Sequence, residues 1–105
     1  MATSMTSSAA AHPTPGDGET LATLRRKLGF RAWQRGTREA DLLIGTFADR
    51  CLAGFAADEL YQFEHLLKED DPVIDDWING RQVVPREHDN NVFALLRQCY
   101  LASVA

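Results

Sequence analysis

From Leu21 onward, apolar residues recur at helical spacing. Leu21, Leu24, Leu28 and Ala32 follow a 3-4-4 step and mark one face of a first helix. Arg31, Arg35 and Arg38 follow a 4-3 step on another face if the helix runs that far. Gly36 is expected to end it, because glycine accepts the left-handed conformation of a C-terminal cap. A second helix is predicted from Thr37 or Arg38 to about Ala53. Ala40, Leu43, Phe47 and Cys51 form its expected buried stripe, widened by Leu42 and Ile44. Gly45 inside that helix costs about 1 kcal/mol relative to alanine, which a close approach of another helix or of a partner's backbone would justify. Gly54 closes the segment. A third helix is predicted over about Ala57 to Lys68, with Leu60, Phe63 and Leu67 inward and Asp58 and Glu59 favouring its positive end. Asp71 is expected to cap a short fourth helix, with Pro72 in the first position and Val73, Ile74, Trp77 and Ile78 following before Asn79-Gly80 ends it. Arg81 to His88 reads as a loop containing Pro85. Asp89 or Asn90 then caps a last helix with Val92, Phe93, Leu96, Cys99 and Tyr100 on its apolar side. No segment alternates with period two, so no sheet is expected. The sum is an all-α chain, a compact five-helix bundle.

Before this pattern begins, Met1 to Gly18 are rich in Ala, Ser, Thr, Pro and Gly and carry no hydrophobic period. They read as a disordered tail (1–18) ahead of one helical domain (19–105). The first 24 residues contain no Lys or Arg and no continuous apolar core. That speaks against a signal peptide and an Arg-rich presequence, so a cytoplasmic location is expected over the mitochondrial matrix. No apolar run reaches the length of about 20 residues that spans a bilayer, so no membrane insertion is expected. Cys51 and Cys99 lie in apolar helical stretches without a CxxC motif and read as two buried free thiols.

Charge adds a polarity that the helical pattern does not show. Six of the 11 basic residues lie between Arg25 and Arg38, and eight of the 15 acidic residues between Asp58 and Asp76. A basic stripe within a net charge of −4 suggests a specific acidic partner surface. Nucleic acid is not expected, because the acidic segment would repel a polyanion. Catalytic residues are not expected either. His12, His65 and His88 are scattered, with no HExxH or HxxxH spacing, so no metal site is read. No nucleophile elbow and no glycine-rich nucleotide loop is present, so no cofactor-binding residue can be named. The acidic run from Glu69 to Asp76 lacks the alternating oxygens and central glycine of a calcium loop and reads as helix capping on a solvated edge.

The segment Arg35 to Asp41, RGTREAD, resembles the RGxxE signature of the SdhE-type FAD assembly factors, known in mitochondria as succinate dehydrogenase assembly factor 2. The likeness continues through LLIGTFADRCL, ELYQFEHLL and EDDPVIDDWING, over about residues 25 to 80. It implies a small five-helix protein that binds the flavoprotein subunit of succinate dehydrogenase, and in bacteria that of fumarate reductase. It further implies that the protein promotes covalent attachment of FAD to a histidine of that subunit, the subunit itself being the catalyst. FAD is then the partner's cofactor, with none bound stably here. Arg35, Gly36 and Glu39 match the signature, and Asp41 matches the acidic residue that commonly follows. Arg31 and Arg38 border it on the basic stripe, which completes the expected partner-binding set. Gln34 stands where many members have a second arginine, and Thr37 and Ala40 replace bulkier apolar residues. The residue types suit such a surface: Gly36 admits a partner's backbone, Arg35 offers a planar charged fork, and Glu39 can orient an arginine or accept hydrogen bonds. A plain helix junction, with Gly36 as a cap and Glu39 as a first-turn charge, fits the same residues. A general helical interaction module with another client, or a small nucleic-acid binder, are the alternative functions.

Overall fold

The structure, a computed structural model, describes residues 20–104. The expected disordered tail lies outside the described residues. Five α-helices follow in order: α1 (Leu21–Ala32), α2 (Arg38–Cys51), α3 (Ala57–Leu66), α4 (Asp71–Ile78) and α5 (Asn91–Val104). Two single 3-10 turns, Leu52–Gly54 and Arg86–His88, sit in the connections. There is no strand among the described residues.

Three phenylalanines hold the centre. Phe47, Phe55 and Phe63 form a triangle with ring centroids 5.6 to 6.2 Å apart. Phe47 and Phe63 are fully buried, which stabilises the fold by roughly 2–3 kcal/mol each. Helix α1 packs on α2 and α3, and α5 closes the bundle against the same two helices. Arg25 of α1 reaches past this centre and donates from Nη2 to the Phe55 carbonyl at 2.9 Å. At the far end Arg97 of α5 donates to the Trp77 carbonyl at 2.7 Å, adding to the backbone bond that this carbonyl accepts from the Gly80 N–H at 3.3 Å and so tying α5 to the end of α4.

The helix ends depart from the sequence reading in instructive ways. Helix α1 stops at Ala32, with Trp33 as its C-cap, and Gly36 lies in the turn beyond. The reason is tertiary. Trp33 leaves the helix to lay its indole on Gly45 of α2, where an added Cβ would stand 2.2 to 2.6 Å from the ring atoms. The indole Nε1 also donates to Asp49 at 3.3 Å. Gly45 is thus the seat of Trp33, and its helix-propensity cost is offset by that contact. The buried stripe of α2 is rotated from the expected one: Ile44, Gly45, Phe47 and Ala48 are buried, Ala40, Leu43 and Cys51 are half-buried, and Leu42 faces out. Consecutive apolar residues at 42–44 left the phase of that face open. Helix α3 ends two residues early, at Leu66, yet Leu60, Phe63 and Leu67 point inward as expected. In place of an N-cap side chain, Glu59 reaches back to accept from the Ala56 N–H at 2.9 Å. The N-cap position of α4 is Asp70, whose extended backbone precedes the helix and whose side chain makes no cap hydrogen bond, and Asp71 is already the first helical residue, with Pro72 second. Asn90 caps α5, its Oδ1 accepting from the Phe93 N–H at 3.1 Å.

Candidate functional site

The turn between α1 and α2 carries the signature residues, and its conformation follows from four of them. Thr37 is the N-cap of α2, its Oγ1 accepting from the Ala40 N–H at 3.2 Å. Asp41, one turn into the helix, folds its carboxylate back over the turn. Its Oδ1 accepts from the N–H of Arg35 at 2.6 Å and of Gly36 at 3.3 Å. Gly36 has φ of 115°, a conformation that L side chains avoid at a cost of about 1–3 kcal/mol. Nothing lies within 4 Å of where its Cβ would be. Glycine is therefore required by the backbone and leaves bare main chain facing outward.

Arg35 points the other way. Its side chain is only 10% exposed and forms an ion pair with Asp71 at 2.8 Å through Nε. Nη1 donates to the Leu67 carbonyl and Nη2 to the Glu69 carbonyl, both at 2.6 Å. One guanidinium therefore ties the α1–α2 turn to the segment that leaves α3 and enters α4. It supplies positive charge at the carbonyl end of α3, where the helix dipole favours it. Lysine, with a point charge on a flexible stem, cannot reproduce a planar fork that serves three acceptors.

The six expected partner-binding residues are thus brought close along the chain but divided in direction. Arg35 and Asp41 spend their polar atoms inside the protein. Arg31 pairs at 3.8 Å with Glu64 of α3 and stays half-exposed. Gly36, Arg38 and Glu39 are exposed, and the side chain of neither Arg38 nor Glu39 makes a hydrogen bond or ion pair among the described residues. Glu39 does not orient an arginine. The basic stripe read from sequence is not a stripe, because Arg35 lies in a turn and two of its members meet the acidic segment.

Beside the turn runs an open groove between α2, the start of α4 and the last turns of α5. Glu39, Leu42, Leu43, Asp70, Cys99 and Tyr100 line it. Leu42 is 50% exposed there, a large apolar side chain next to the free carboxylate of Glu39. Sequence reading placed Leu42 in the core, so this apolar wall was missed. The cysteines are half-buried free thiols on α2 and α5. Burial pushes the Cys51 thiol above its ordinary range, the Cys99 thiol nearby adds to this, and Arg50 opposes it.

No helix of the described residues is long and apolar enough to cross a membrane. Residues 26–100 match the family described as flavinator of succinate dehydrogenase. The FAD assembly factor SdhE of Acetobacter pasteurianus is 44% identical over 69 residues, covering 66% of this chain and 63% of that protein. The mitochondrial succinate dehydrogenase assembly factor 2 of Dictyostelium discoideum is 35% identical over 74 residues, 70% of this chain and 52% of that protein. The mitochondrial assembly factor 2-B of Drosophila willistoni is 33% identical over 82 residues, 76% of this chain and 53% of that protein. The chain spans from about half to just under two thirds of the length of these curated relatives. With the match running from α1 into α5 and taking in the whole Arg35–Asp41 turn, the chain belongs to the family of flavinators of succinate dehydrogenase.

Proposed function

We propose that this protein docks on the flavoprotein subunit of succinate dehydrogenase and promotes the covalent attachment of FAD, which the subunit catalyses on itself. The observation that carries the reading is the division of labour in the Arg35–Asp41 turn. Arg35 and Asp41 fix its shape from within, while Gly36 is exposed and the side chains of Arg38 and Glu39 are held out without partners among the described residues. Bare main chain at Gly36 allows a close approach, and the carboxylate of Glu39 and guanidinium of Arg38 supply opposite charges for a polar surface. Leu42 and the groove beside it add the apolar area that a stable contact needs. Arg31, half-exposed at the other side of the turn, belongs to the rim.

Binding energy at this surface acts by favouring one arrangement of the flavoprotein, so that its histidine and FAD meet in the geometry of bond formation. The helper then needs no catalytic side chain and no cofactor of its own, and FAD remains the partner's. The family description and the name of the Dictyostelium relative both mention succinate dehydrogenase, which supports the flavoprotein subunit of that enzyme as the client. A cytoplasmic location is supported by the higher identity to the bacterial relative than to the mitochondrial ones.

Copurification with the tagged flavoprotein tests this reading. Glu39→Ala and Gly36→Arg are expected to lose the complex while keeping the helical circular dichroism spectrum. A complex that survives both substitutions at wild-type yield contradicts the docking surface, and capture of an unrelated flavoenzyme in its place favours a module with another client.

A further inference from the structure

His88 is the one buried polar residue among the described residues, with 1% of its surface exposed. It closes the 3-10 turn Arg86–His88, and its ring lies against Trp77 with centroids 5.1 Å apart. Its Nε2 is 2.8 Å from Glu69 Oε2. Its Nδ1 is sealed from solvent and has no hydrogen-bond partner. An unmade bond of that kind costs about 1–3 kcal/mol, so the nitrogen calls for an occupant. In the neutral tautomer that donates from Nε2 to Glu69, the lone pair is on Nδ1. A carboxylate behind one ring nitrogen and a free lone pair on the other is how metal-bound imidazoles are held.

Two further donors stand beside it. The ring of His65, from the last turn of α3, stacks on His88 with centroids 4.8 Å apart. His65 Nε2 is 3.9 Å from Glu87 Oε2. One ligand atom from each of His65, Glu87 and His88 lies within 4.8 Å of the other two. We propose that these three side chains bind one divalent ion of the zinc class, with Glu69 orienting His88 from behind.

Zinc takes nitrogen and oxygen ligands at about 2.0–2.2 Å in a tetrahedron, so its ligand atoms stand roughly 3.3–3.5 Å apart. The cluster, with ligand atoms up to 4.8 Å apart, must contract by up to about 1.4 Å to reach this. Stacked imidazoles cannot aim their in-plane lone pairs at one ion, so His65 must turn its edge toward His88. Both movable ligands permit this, His65 being 52% and Glu87 63% exposed, while His88 stays where Glu69 and Trp77 hold it. Two neutral imidazoles and a carboxylate suit zinc, cobalt or nickel; magnesium and calcium prefer all-oxygen shells. Three protein ligands leave a fourth position for water. Because the Glu69 carbonyl also accepts from Arg35, a bound ion would brace the segment that the signature arginine clamps.

The test is calorimetric titration of the full chain with zinc chloride near neutral pH in a non-coordinating buffer, paired with the visible spectrum of the cobalt(II) form. One equivalent is expected to bind, with cobalt bands of low symmetry and no near-ultraviolet thiolate transition, which separates the site from Cys51 and Cys99. His65→Gln and Glu87→Gln, both at exposed positions, are each expected to weaken binding by roughly tenfold or more. His12→Ala is expected to leave it unchanged. Absence of saturable binding would mean that only a buried water satisfies Nδ1 and would overturn the site. Binding that persists in His65→Gln, or disappears in His12→Ala, overturns it equally.

Discussion

Replacing Arg35 separates the inward role of this side chain from a direct grip on a partner. Its guanidinium serves three acceptors: the Asp71 carboxylate and the Leu67 and Glu69 carbonyls. Hydrogen bonds to a charged group stabilise by about 1.5–3 kcal/mol each, but at a part-buried site water recovers some of this, so about 1 kcal/mol per bond is a fair working value. Arg35→Ala should then cost about 3 kcal/mol. Arg35→Lys, which keeps the charge and one acceptor, should cost about 2 kcal/mol. In a domain of this size 1 kcal/mol moves Tm by about 4–8 °C, so the lysine variant should melt about 8–16 °C lower. Thermal denaturation followed by circular dichroism measures both. A double-mutant cycle with Asp71→Asn should show coupling of about 1–2 kcal/mol. The same pair tests function: if Arg35 acts by shaping the turn, Asp71→Asn weakens flavoprotein binding alongside Arg35→Lys. A Tm shift below about 2 °C for Arg35→Ala, or full binding by Asp71→Asn with none by Arg35→Lys, would refute the clamp and return Arg35 to the contact surface.

Three further outcomes are expected. Gly45→Ala gains about 1 kcal/mol in helix propensity, yet its Cβ would meet the Trp33 ring at 2.2 to 2.6 Å; displacing the indole should give a net loss of about 2 kcal/mol and a red-shifted tryptophan emission. Glu59 is held below the ordinary glutamate range, first by the Ala56 N–H and then by Asn91. Its contribution to stability is therefore complete above that ordinary value and lost as pH falls through the lowered one, so a Glu59→Gln variant should lose stability at neutral pH and show a flatter acid limb in denaturant titrations. Cys51, pushed upward chiefly by burial, should alkylate slowly at neutral pH and faster only as pH rises past the ordinary thiol range, which mass spectrometry of iodoacetamide-treated native protein can follow.

Much of this architecture was legible in the sequence because helical periodicity is written locally. Leu24, Leu28 and Ala32, or Leu60, Phe63 and Leu67, name their buried face by spacing alone. What was not legible depends on residues distant in the chain. The end of α1 is set by Trp33 seeking Gly45, so a rule that stops helices at glycine chose the wrong residue. Leu42, Leu43 and Ile44 are all apolar, and only packing decides that Leu42 faces the groove. Residues Arg35 to Glu39 fall together on one turn, but the direction of Arg35 rests on two carbonyls, which have no letter in the sequence. The His65, Glu87 and His88 cluster escaped because its histidines come from α3 and from a 3-10 turn beyond α4, at no recognised spacing.

An outward-facing Gly36, Arg38 and Glu39 surface that makes a flavoprotein competent to bind FAD covalently should be visible in the flavin itself. The most direct measurement is the in-gel fluorescence of covalent flavin on the succinate dehydrogenase flavoprotein, produced with this chain, with its Glu39→Ala variant, or with neither. A strong flavin signal is expected with the wild-type chain, and a signal near the level without it for the variant, at equal amounts of folded protein. Equal signal in all three would contradict it.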